Sequence, residues 1–214
     1  MTSTIADIRK DYKLKSLLEK DVDANAIGQF NNWWQEAILS EIDEVNAMTL
    51  ATASVEGVPA ARIVLLKGFD ERGFVFFTNY ESFKGMQLAE NPRACLVFFW
   101  KELERQVRIT GLVEKVTEEE SDTYFNSRPE GSRIGAWSSP QSQVIESREW
   151  LEERERTFTK DFSGKPLVRP AHWGGYRVKP VNIEFWQGRP SRLHDRIQYS
   201  LQSDNSWAIE RLAP

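Results

Sequence analysis

The feature that most constrains the fold of this chain is a change of hydrophobic period after Glu44. Upstream of it, apolar residues between Phe30 and Ile38 follow helical spacing, and Asn25 can cap that helix. Downstream, strand-like segments lie at residues 47–55, 60–69 and 74–80. Tight turns around Gly57 and Gly73 join them. Such short connections join antiparallel strands, and they disfavour a doubly wound parallel sheet.

The rest of the chain continues the alternation of helices and strands. We predict helices from Ser82 to Asn91, from Thr117 to about Ser127, and over residues 147–160. Residues 128–146 read as a long functional loop with one short helical turn, which Ser132 caps. Further strands are predicted at residues 93–100, 105–116, 175–180, 181–187, 193–201 and 207–212. About eight or nine strands and four helices predict an α+β fold, a mostly antiparallel barrel with surrounding helices.

Length and charge limit the classes of function. The 214 residues suit a mobile N-terminal arm over residues 1–20 and a single domain over residues 21–214. The 28 basic and 32 acidic side chains give 28 − 32 = −4, which argues against a nucleic-acid partner. No apolar run approaches the ~20 residues that span a bilayer, and the N-terminal residues lack a secretory leader pattern. We therefore expect a cytoplasmic protein without a membrane partner.

Common catalytic centres find little support in the sequence. The histidines, His172 and His194, lack metal-ligand spacing, so no metal site is expected. Cys95 is the single cysteine and lies within an apolar strand, which favours a core thiol over a nucleophile. Glycine-rich dinucleotide and phosphate loops and the serine nucleophile elbow are also missing from the sequence.

Cationic side chains within apolar sequence are the informative feature. Arg62 and Lys67 bracket four aliphatic residues, and burial of an unpaired charge costs several kcal/mol. In a regular strand their spacing places them on opposite faces, so they would hold two different anions. The alternative is that one or both lie at strand ends and reach solvent.

Two more clusters follow the same logic. Arg192, His194 and Arg196 alternate, so one strand face would present all three to an anion or an electron-rich ring, with Asp195 pointing the other way. The alternative is a solvated edge strand. A phosphate cradle is predicted where a hydroxyl and free N–H groups at a helix start lie beside a phenol and an arginine, at Tyr124, Arg128 and Ser132. The alternative there is an ordinary helix cap with a surface arginine.

Several longer motifs resemble one family. They are RIVLLK at 62–67, FFTN at 76–79, NPRACLVFFW at 91–100, LERQVRITG at 103–111, YFNSRPEGSRIGAWSSPQS at 124–142, IEFWQG at 183–188, RLHDR at 192–196 and ERLAP at 210–214. Together they resemble pyridoxine (pyridoxamine) 5′-phosphate oxidase, from about residue 9 to the C-terminus. The resemblance implies an FMN-binding split β-barrel and a homodimer with FMN at the subunit interface. It also implies oxidation of pyridoxamine or pyridoxine 5′-phosphate to pyridoxal 5′-phosphate, with O2 reduced to hydrogen peroxide.

The resemblance also implies roles for individual residues. FMN contacts are expected from Arg62, Ile63, Val64, Leu65, Leu66, Lys67, Phe77, Thr78, Lys84, Gln106, Gln141, Ser142, Trp186 and Arg196. Substrate contacts are expected from Arg9, Lys10, Asp11, Tyr12, Lys67, Tyr124, Arg128, Ser132, Arg192, Leu193 and His194. Arg192 and His194 resemble the catalytic pair that faces the pyridine ring. Residues 9–12 resemble an N-terminal segment that can fold over the site.

One position departs from the family pattern. Phe83 precedes Lys84 where many members have arginine, and a phenyl ring cannot bind phosphate. A lost hydrogen bond to a charged group typically costs ~1.5–3 kcal/mol, so weaker FMN binding is expected. Two competing functions remain open at this point: a split-barrel carrier of flavin or pyridoxal phosphate without turnover, and a flavin reductase with another substrate.

Overall fold

The computed structural model describes residue 5 and residues 11–214 of the chain. Its α-helices are α1 (Ala26–Leu39), α2 (Phe83–Glu90), α3 (Glu118–Ser127), α4 (Glu130–Ser138) and α5 (Arg148–Asp161). Its strands are β1 (Ala47–Ala53), β2 (Pro59–Leu65), β3 (Gly68–Asp70), β4 (Gly73–Asn79), β5 (Arg93–Trp100), β6 (Arg105–Lys115), β7 (Trp173–Gln187), β8 (Asp195–Leu201) and β9 (Trp207–Leu212). Within these described residues, every helix is too short or too polar to cross a membrane.

The strands form a nine-stranded sheet in the order β2-β1-β5-β6-β7-β4-β3, with β8 paired to both β7 and β9. The pairs β3–β4, β4–β7, β7–β8 and β8–β9 are antiparallel. In the β4–β7 pair, Phe77 lies opposite Gly175. The predicted α+β class with antiparallel connections is confirmed, because short turns join strands that follow one another in the chain.

The residues group into two compact units, each with its own core. The first comprises Met1–Thr49, Cys95–Gly111 and Pro180–Pro214, and its described part contains α1, β8 and β9. Phe30 of α1 is fully buried there, with its ring centroid 5.3 Å from that of Phe98. The second comprises Leu50–Ala94 and Leu112–Lys179, where the ring centroids of Phe76 and Tyr176 lie 5.7 Å apart. The proposed division into residues 1–20 and 21–214 stays a prediction.

The predicted helix starts are confirmed by their caps. The Asn25 side chain accepts hydrogen bonds from the N–H groups of Ile27 and Gly28. Ser82 caps α2 through the Gly85 N–H, and Thr117 forms a reciprocal capping box at the start of α3. Each cap satisfies N–H groups that the helix itself leaves without partners.

Some predicted boundaries are wrong. Residues 130–138 form a nine-residue helix, so the described structure has five α-helices rather than four. Pro129 precedes that helix, and Ser132 lies inside it instead of capping it. Residues 175–187 belong to one continuous strand, whereas residues 60–69 divide between β2 and β3.

The close approach at Gly85 gives a test of the packing that positions α2. A Cβ atom at this position would lie 2.0 Å from the Tyr80 carbonyl oxygen, so backbone would have to move. We expect Gly85→Ala to lower the free energy of unfolding by about 1–3 kcal/mol, as overpacking does. Gly131→Ala is the matched control, since nothing lies within 4 Å of its added Cβ. It should be neutral or stabilise by up to about 1 kcal/mol in urea titrations; equal effects of both substitutions would contradict this packing.

Candidate functional site

A cavity of about 710 Å³ in the second unit collects many of the predicted site residues. Its lining includes Arg62, Ile63, Val64, Leu65, Lys67, Phe77, Thr78, Lys84, Tyr124, Arg128, Ser132 and Gln141. Most of these residues come from β2, β4, α2, α3 and α4, and Lys67, Arg128 and Gln141 lie just after β2, α3 and α4. Strands and helix ends of this unit therefore converge on one cationic cavity.

Arg62 lies on β2, and the oxygens that accept hydrogen bonds from its Nη1 atom are all neutral. That atom donates to the Thr52 hydroxyl at 2.6 Å and to the carbonyls of Leu50 and Ala60 at 3.2 and 3.3 Å. Thr52 in turn donates its hydroxyl proton to the Gln87 side chain. Burial lowers the pKa of Arg62 from its ordinary value. The guanidinium is thus positioned without being neutralised.

Lys84, in the first turn of α2, has a similar environment. Its Nζ atom donates to Gln141 Oε1 at 2.8 Å, to Thr78 Oγ1 at 3.2 Å and to Ser82 Oγ at 3.3 Å. Burial, and then the charge of Arg62, lower the pKa of Lys84 to about 8. Two cations that repel each other across a partly desolvated cavity create a site for an anion.

A second group of cations lines the same cavity around an aromatic stack. The ring of Tyr124 stacks on that of Phe77 with centroids 4.0 Å apart, and Trp173 stacks 5.6 Å from Phe77. The guanidinium carbon of Arg128 lies 4.6 Å from the Trp173 ring centroid. Arg128 Nη1 is buried without a hydrogen-bond partner, and burial lowers the pKa of Arg128. The stack holds one face of the guanidinium and leaves that donor for a ligand.

Within the part of the chain that the structure describes, no carboxylate forms an ion pair with these cations, and none lines the cavity.

The predicted separation of Arg62 and Lys67 on opposite strand faces is wrong. Strand β2 ends at Leu65, so Lys67 lies beyond the regular ladder and reaches the same cavity from its exposed position.

Sequence reasoning missed part of the lining. Asn79, Pro129, Gly135, Ala136, Ser139 and Trp173 also line the cavity. Trp173 lies two residues before the strand that we predict at residues 175–180, whereas the structure places it at the first position of β7. Nothing local in the sequence shows that its ring would support Arg128.

A second cluster of predicted residues lies in the first unit. The ring centroids of Trp186 and His194 are 4.6 Å apart, and the Tyr12 ring lies 5.7 Å from Trp186 and 5.9 Å from His194. The backbone N–H of Arg189 donates to His194 Nδ1 at 3.1 Å. Burial, and then the charge of Arg192, lower the pKa of His194 from 6.5. The neutral ring therefore carries its proton on Nε2.

Arg192 and His194 both lie before the first residue of β8, so the prediction that they share one strand face with Arg196 is wrong. Strand β8 begins at Asp195, and Arg192 lies in a short 3₁₀ turn with φ 63° after Ser191 at φ 56°. Left-handed backbone costs a non-glycine residue about 1–2 kcal/mol. Strain at a predicted catalytic residue indicates that the surrounding structure imposes its direction.

Arg196 faces a protein carboxylate. Its Nε and Nη2 atoms donate to the two oxygens of Glu184 at 2.8 and 3.1 Å, and Nη1 donates to the Ala213 carbonyl at 2.7 Å. Glu184 is 2% exposed and also pairs with Arg108. The carboxylate of Glu184 therefore supplies at least part of the negative charge that Arg196 needs in its apolar surroundings.

The remaining predicted residues are placed as follows. Leu66 is buried and Ser142 is exposed, and neither lines the 710 Å³ cavity. Gln106 is half-buried on β6, and Leu193 and Asp11 are exposed in the first unit. Arg9 and Lys10 lie outside the described residues. Their roles stay predictions.

Comparison with known protein families decides the chain's membership. The family described as pyridoxamine 5′-phosphate oxidase matches residues 34–156, and the pyridoxine 5′-phosphate oxidase C-terminal dimerisation region matches residues 173–214. The chain belongs to the pyridoxamine 5′-phosphate oxidase family. Membership of this oxidase family makes the protein an oxidoreductase.

Individual relatives agree with the family match over the whole chain. A pyridoxine/pyridoxamine 5′-phosphate oxidase of Trichormus variabilis is 60% identical over 214 residues, which cover 100% of both chains. One of Paraburkholderia phymatum is 62% identical over 212 residues, covering 99% of this chain and 100% of the relative.

Solved structures show the same fold. PhzG of Burkholderia lata, in complex with tetrahydrophenazine-1-carboxylic acid, has a TM-score of 0.87 and 29% identity, over 94% of this chain and 99% of PhzG. A pyridoxamine 5′-phosphate oxidase-related, FMN-binding protein of Nostoc punctiforme has a TM-score of 0.68 at 18% identity, over 86% and 97% of the two chains. These similarities confirm the predicted split-barrel fold.

The lowered pKa of Lys84 generates a stability prediction. The unfolded chain holds this proton up to about pH 10.5 and the folded chain only up to about pH 8. The penalty for the charge is therefore fully present below pH 8 and is relieved as the pH rises towards 10.5. In buffer without phosphate we expect Lys84→Met to raise the free energy of unfolding at pH 7 by about 1 kcal/mol. This value is smaller than the full pKa shift would give, because solvent screens the charge of a partly buried side chain.

The control for this prediction is Lys160→Met, which alters an exposed lysine at the end of α5. It should change the free energy of unfolding little at either pH. Urea titrations at pH 7 and pH 10 provide the measurement. A Lys84→Met gain that does not shrink at the higher pH would contradict the assigned cause.

Proposed function

We propose that this protein is an FMN-dependent oxidase that converts pyridoxamine 5′-phosphate or pyridoxine 5′-phosphate to pyridoxal 5′-phosphate. The substrate loses two electrons and two protons, and O2 accepts them to give hydrogen peroxide. With the amine substrate, water then releases ammonia. The proposal places the protein in the synthesis and salvage of pyridoxal phosphate. Family membership supports this class of reaction.

The observation that carries the proposal is a cavity with four cations and no carboxylate among the described residues. Arg62 and Lys84 form one group, and Lys67 and Arg128 belong to the other. A single phosphate needs only one such group, whereas a phosphorylated cofactor and a phosphorylated substrate need both. A carrier of flavin alone would have no use for the second group, which argues against that alternative.

The donor set around Arg62 and Lys84 fits the phosphate of FMN. Both cations are held by neutral oxygens, so an incoming phosphate would displace no internal anion. Phe83 is exposed at the first position of α2, beside Lys84, and adds no donor. When bound, FMN would supply the two-electron chemistry that the protein side chains lack.

The second group suits the phosphate of the substrate. Arg128 presents a buried Nη1 donor, Tyr124 a phenol and Lys67 an ammonium group, and Ser132 contributes a hydroxyl from α4. Binding energy gained at the phosphate, remote from the reacting carbon, can offset the entropy of aligning the ring. The cradle therefore orients the substrate and takes no part in bond breaking.

Arg192 and His194 are proposed to face the pyridine ring. The cation of Arg192 would stabilise negative charge that develops on the ring, and its strained backbone limits the directions it can take. His194 is neutral at pH 7 and holds a proton on Nε2, since Nδ1 accepts the Arg189 N–H. It can therefore donate a hydrogen bond to the oxygen attached at C3 of the pyridine ring.

We further propose a homodimer with the FMN sites at the subunit interface. The match of residues 173–214 to a dimerisation region supports association of two copies. The residues of both clusters would then serve sites shared between subunits. A cytoplasmic location and the lack of a nucleic-acid partner stay predictions from the sequence.

The central test is a direct assay of the purified protein. Its visible spectrum should show bound flavin, and pyridoxamine 5′-phosphate under air should yield peroxide and aldehyde in equal amounts. A colourless protein that does not take up FMN when FMN is supplied would overturn the proposal. Flavin uptake without turnover would instead favour the carrier.

Arg128→Ala tests the substrate cradle. Loss of a hydrogen-bonded charge should raise KM for pyridoxamine 5′-phosphate by about tenfold to a hundredfold, with kcat and flavin content nearly unchanged. Arg148→Ala is the control, because Arg148 is exposed on α5 and pairs with Glu152. Steady-state kinetics and flavin absorbance measure these effects; an unchanged KM would remove Arg128 from the cradle.

Arg192→Leu tests the proposed catalytic group. Loss of a charge that stabilises the transition state should lower kcat on the order of a hundredfold. Flavin content should stay at the level of the unmodified protein, and Arg192→Lys should recover part of the rate. Loss of flavin from Arg192→Leu would assign the residue to the cofactor instead.

A further inference from the structure

Residues 12–17 form a segment, here called the strap, that is bound by a buried carboxylate. Glu104 Oε2 accepts hydrogen bonds from the backbone N–H groups of Lys13 at 2.8 Å and Leu14 at 3.2 Å. Glu104 is 3% exposed. A buried carboxylate requires donors, and donors to an ionised oxygen form the stronger class of hydrogen bond. The two amides of the strap supply such donors.

The backbone of Glu104 is joined to the end of β7. Its carbonyl oxygen accepts the Gly188 N–H at 2.7 Å and the Gln187 Nε2 group at 3.2 Å. Glu104 adopts left-handed backbone, with φ 55°, although it is not glycine. A side chain that is kept at a strained position, where glycine would be easier, indicates a use for that side chain. Glu104 thus connects the strap to the residues that follow Trp186.

The strap places Tyr12 on the proposed catalytic cluster. The Tyr12 ring meets Trp186 and His194 edge to face. A Cβ atom on Gly188 would lie 2.7 Å from Tyr12 Cγ, so the missing side chain at this position makes room for the ring. Gly188 therefore both makes room for the Tyr12 ring and donates its N–H to the Glu104 carbonyl.

The far end of the strap has a separate anchor. The Leu17 N–H donates to Asp195 Oδ2 at 3.1 Å, and Arg211 donates to the Leu17 carbonyl at 2.9 Å. Arg211 also pairs with Asp195 and Glu19. Loss of the Glu104 bonds would therefore release the amides of Lys13 and Leu14 while Leu17 stays bound.

We propose that Glu104 is a positioning residue that holds Tyr12 against Trp186 and His194. The bound strap closes one side of the catalytic cluster and thereby strengthens substrate binding, and Glu104 itself touches no reacting atom. The consequence for substrate rests on the proposed function, whereas the binding of the strap does not.

The test uses the full-length holoenzyme carrying Glu104→Gln, which keeps the shape of the side chain and removes its charge. Amide hydrogen exchange at Lys13 and Leu14 should accelerate by at least about tenfold, while exchange at Leu17 and along β7 stays unchanged. KM for pyridoxamine 5′-phosphate should rise by about tenfold, with kcat within about twofold and flavin content unchanged. Glu102→Gln, at an exposed glutamate of the same turn, is the matched control and should change none of these values.

A second pair of substitutions tests the position of Tyr12 without altering the carboxylate of Glu104. Gly188→Ala should displace the Tyr12 ring, and Tyr12→Ala should remove it. Both should raise KM to a similar extent. Adding Glu104→Gln to Tyr12→Ala should cause no further rise in KM, because the two residues act through one contact.

Three results would overturn the proposal. Unchanged exchange at Lys13 and Leu14 in Glu104→Gln would show that the carboxylate does not hold the strap. Faster exchange throughout the first unit would assign Glu104 to general stability. Faster local exchange with an unchanged KM would separate the strap from substrate binding. If the unmodified protein neither holds flavin nor turns over, the proposed function fails, while local exchange still decides whether Glu104 positions the strap.

Discussion

Unneutralised positive charge in one cavity is the constraint on which the second unit is built. Arg62 and Lys84 lie close enough to repel each other, and both lose hydration on folding. The protein supplies neutral oxygens that orient the cations but do not cancel their charge. This arrangement lowers the stability of the folded protein, and a bound anion would relieve the repulsion. Capped helices and a tightly packed Gly85 hold the cations in place against that repulsion.

In the first unit, by contrast, arginines pair with a buried carboxylate of the protein. Arg196 and Arg108 share the buried carboxylate of Glu184, so charge is neutralised inside the protein. Glu104 is another buried carboxylate, and its partners include backbone amides of the strap. Strain at Ser191 and Arg192 is tolerated because neighbouring pairs fix the chain on both sides. Among the described residues, the second unit thus gathers cations in a cavity without a carboxylate, whereas the first unit pairs buried carboxylates with arginines and backbone amides.

Local sequence patterns predicted the elements well where a local interaction determines them. Caps at Asn25, Ser82 and Thr117 begin helices because their side chains satisfy nearby N–H groups. The prediction of a loop with one helical turn over residues 128–146 is wrong for residues 130–138, which form α4. No side chain caps the start of α4, so the sequence has no capping residue that marks it. The spacing argument for Lys67 and Arg192 also failed, because both residues lie just outside the regular strands that the argument assumed.

The sequence by itself determined the antiparallel α+β class, most helix and strand positions, and the residues that carry positive charge in apolar surroundings. These follow from interactions between neighbours in the chain, so they can be read locally. Only the tertiary structure decided which of these charges line an open cavity and which face a protein carboxylate. Pairing of β7 with β8 brings Arg196 to Glu184, and packing of the end of α3 on β7 brings Arg128 to Trp173. Spacing along the chain contains no information about such partners, because their distance depends on the whole packed sheet.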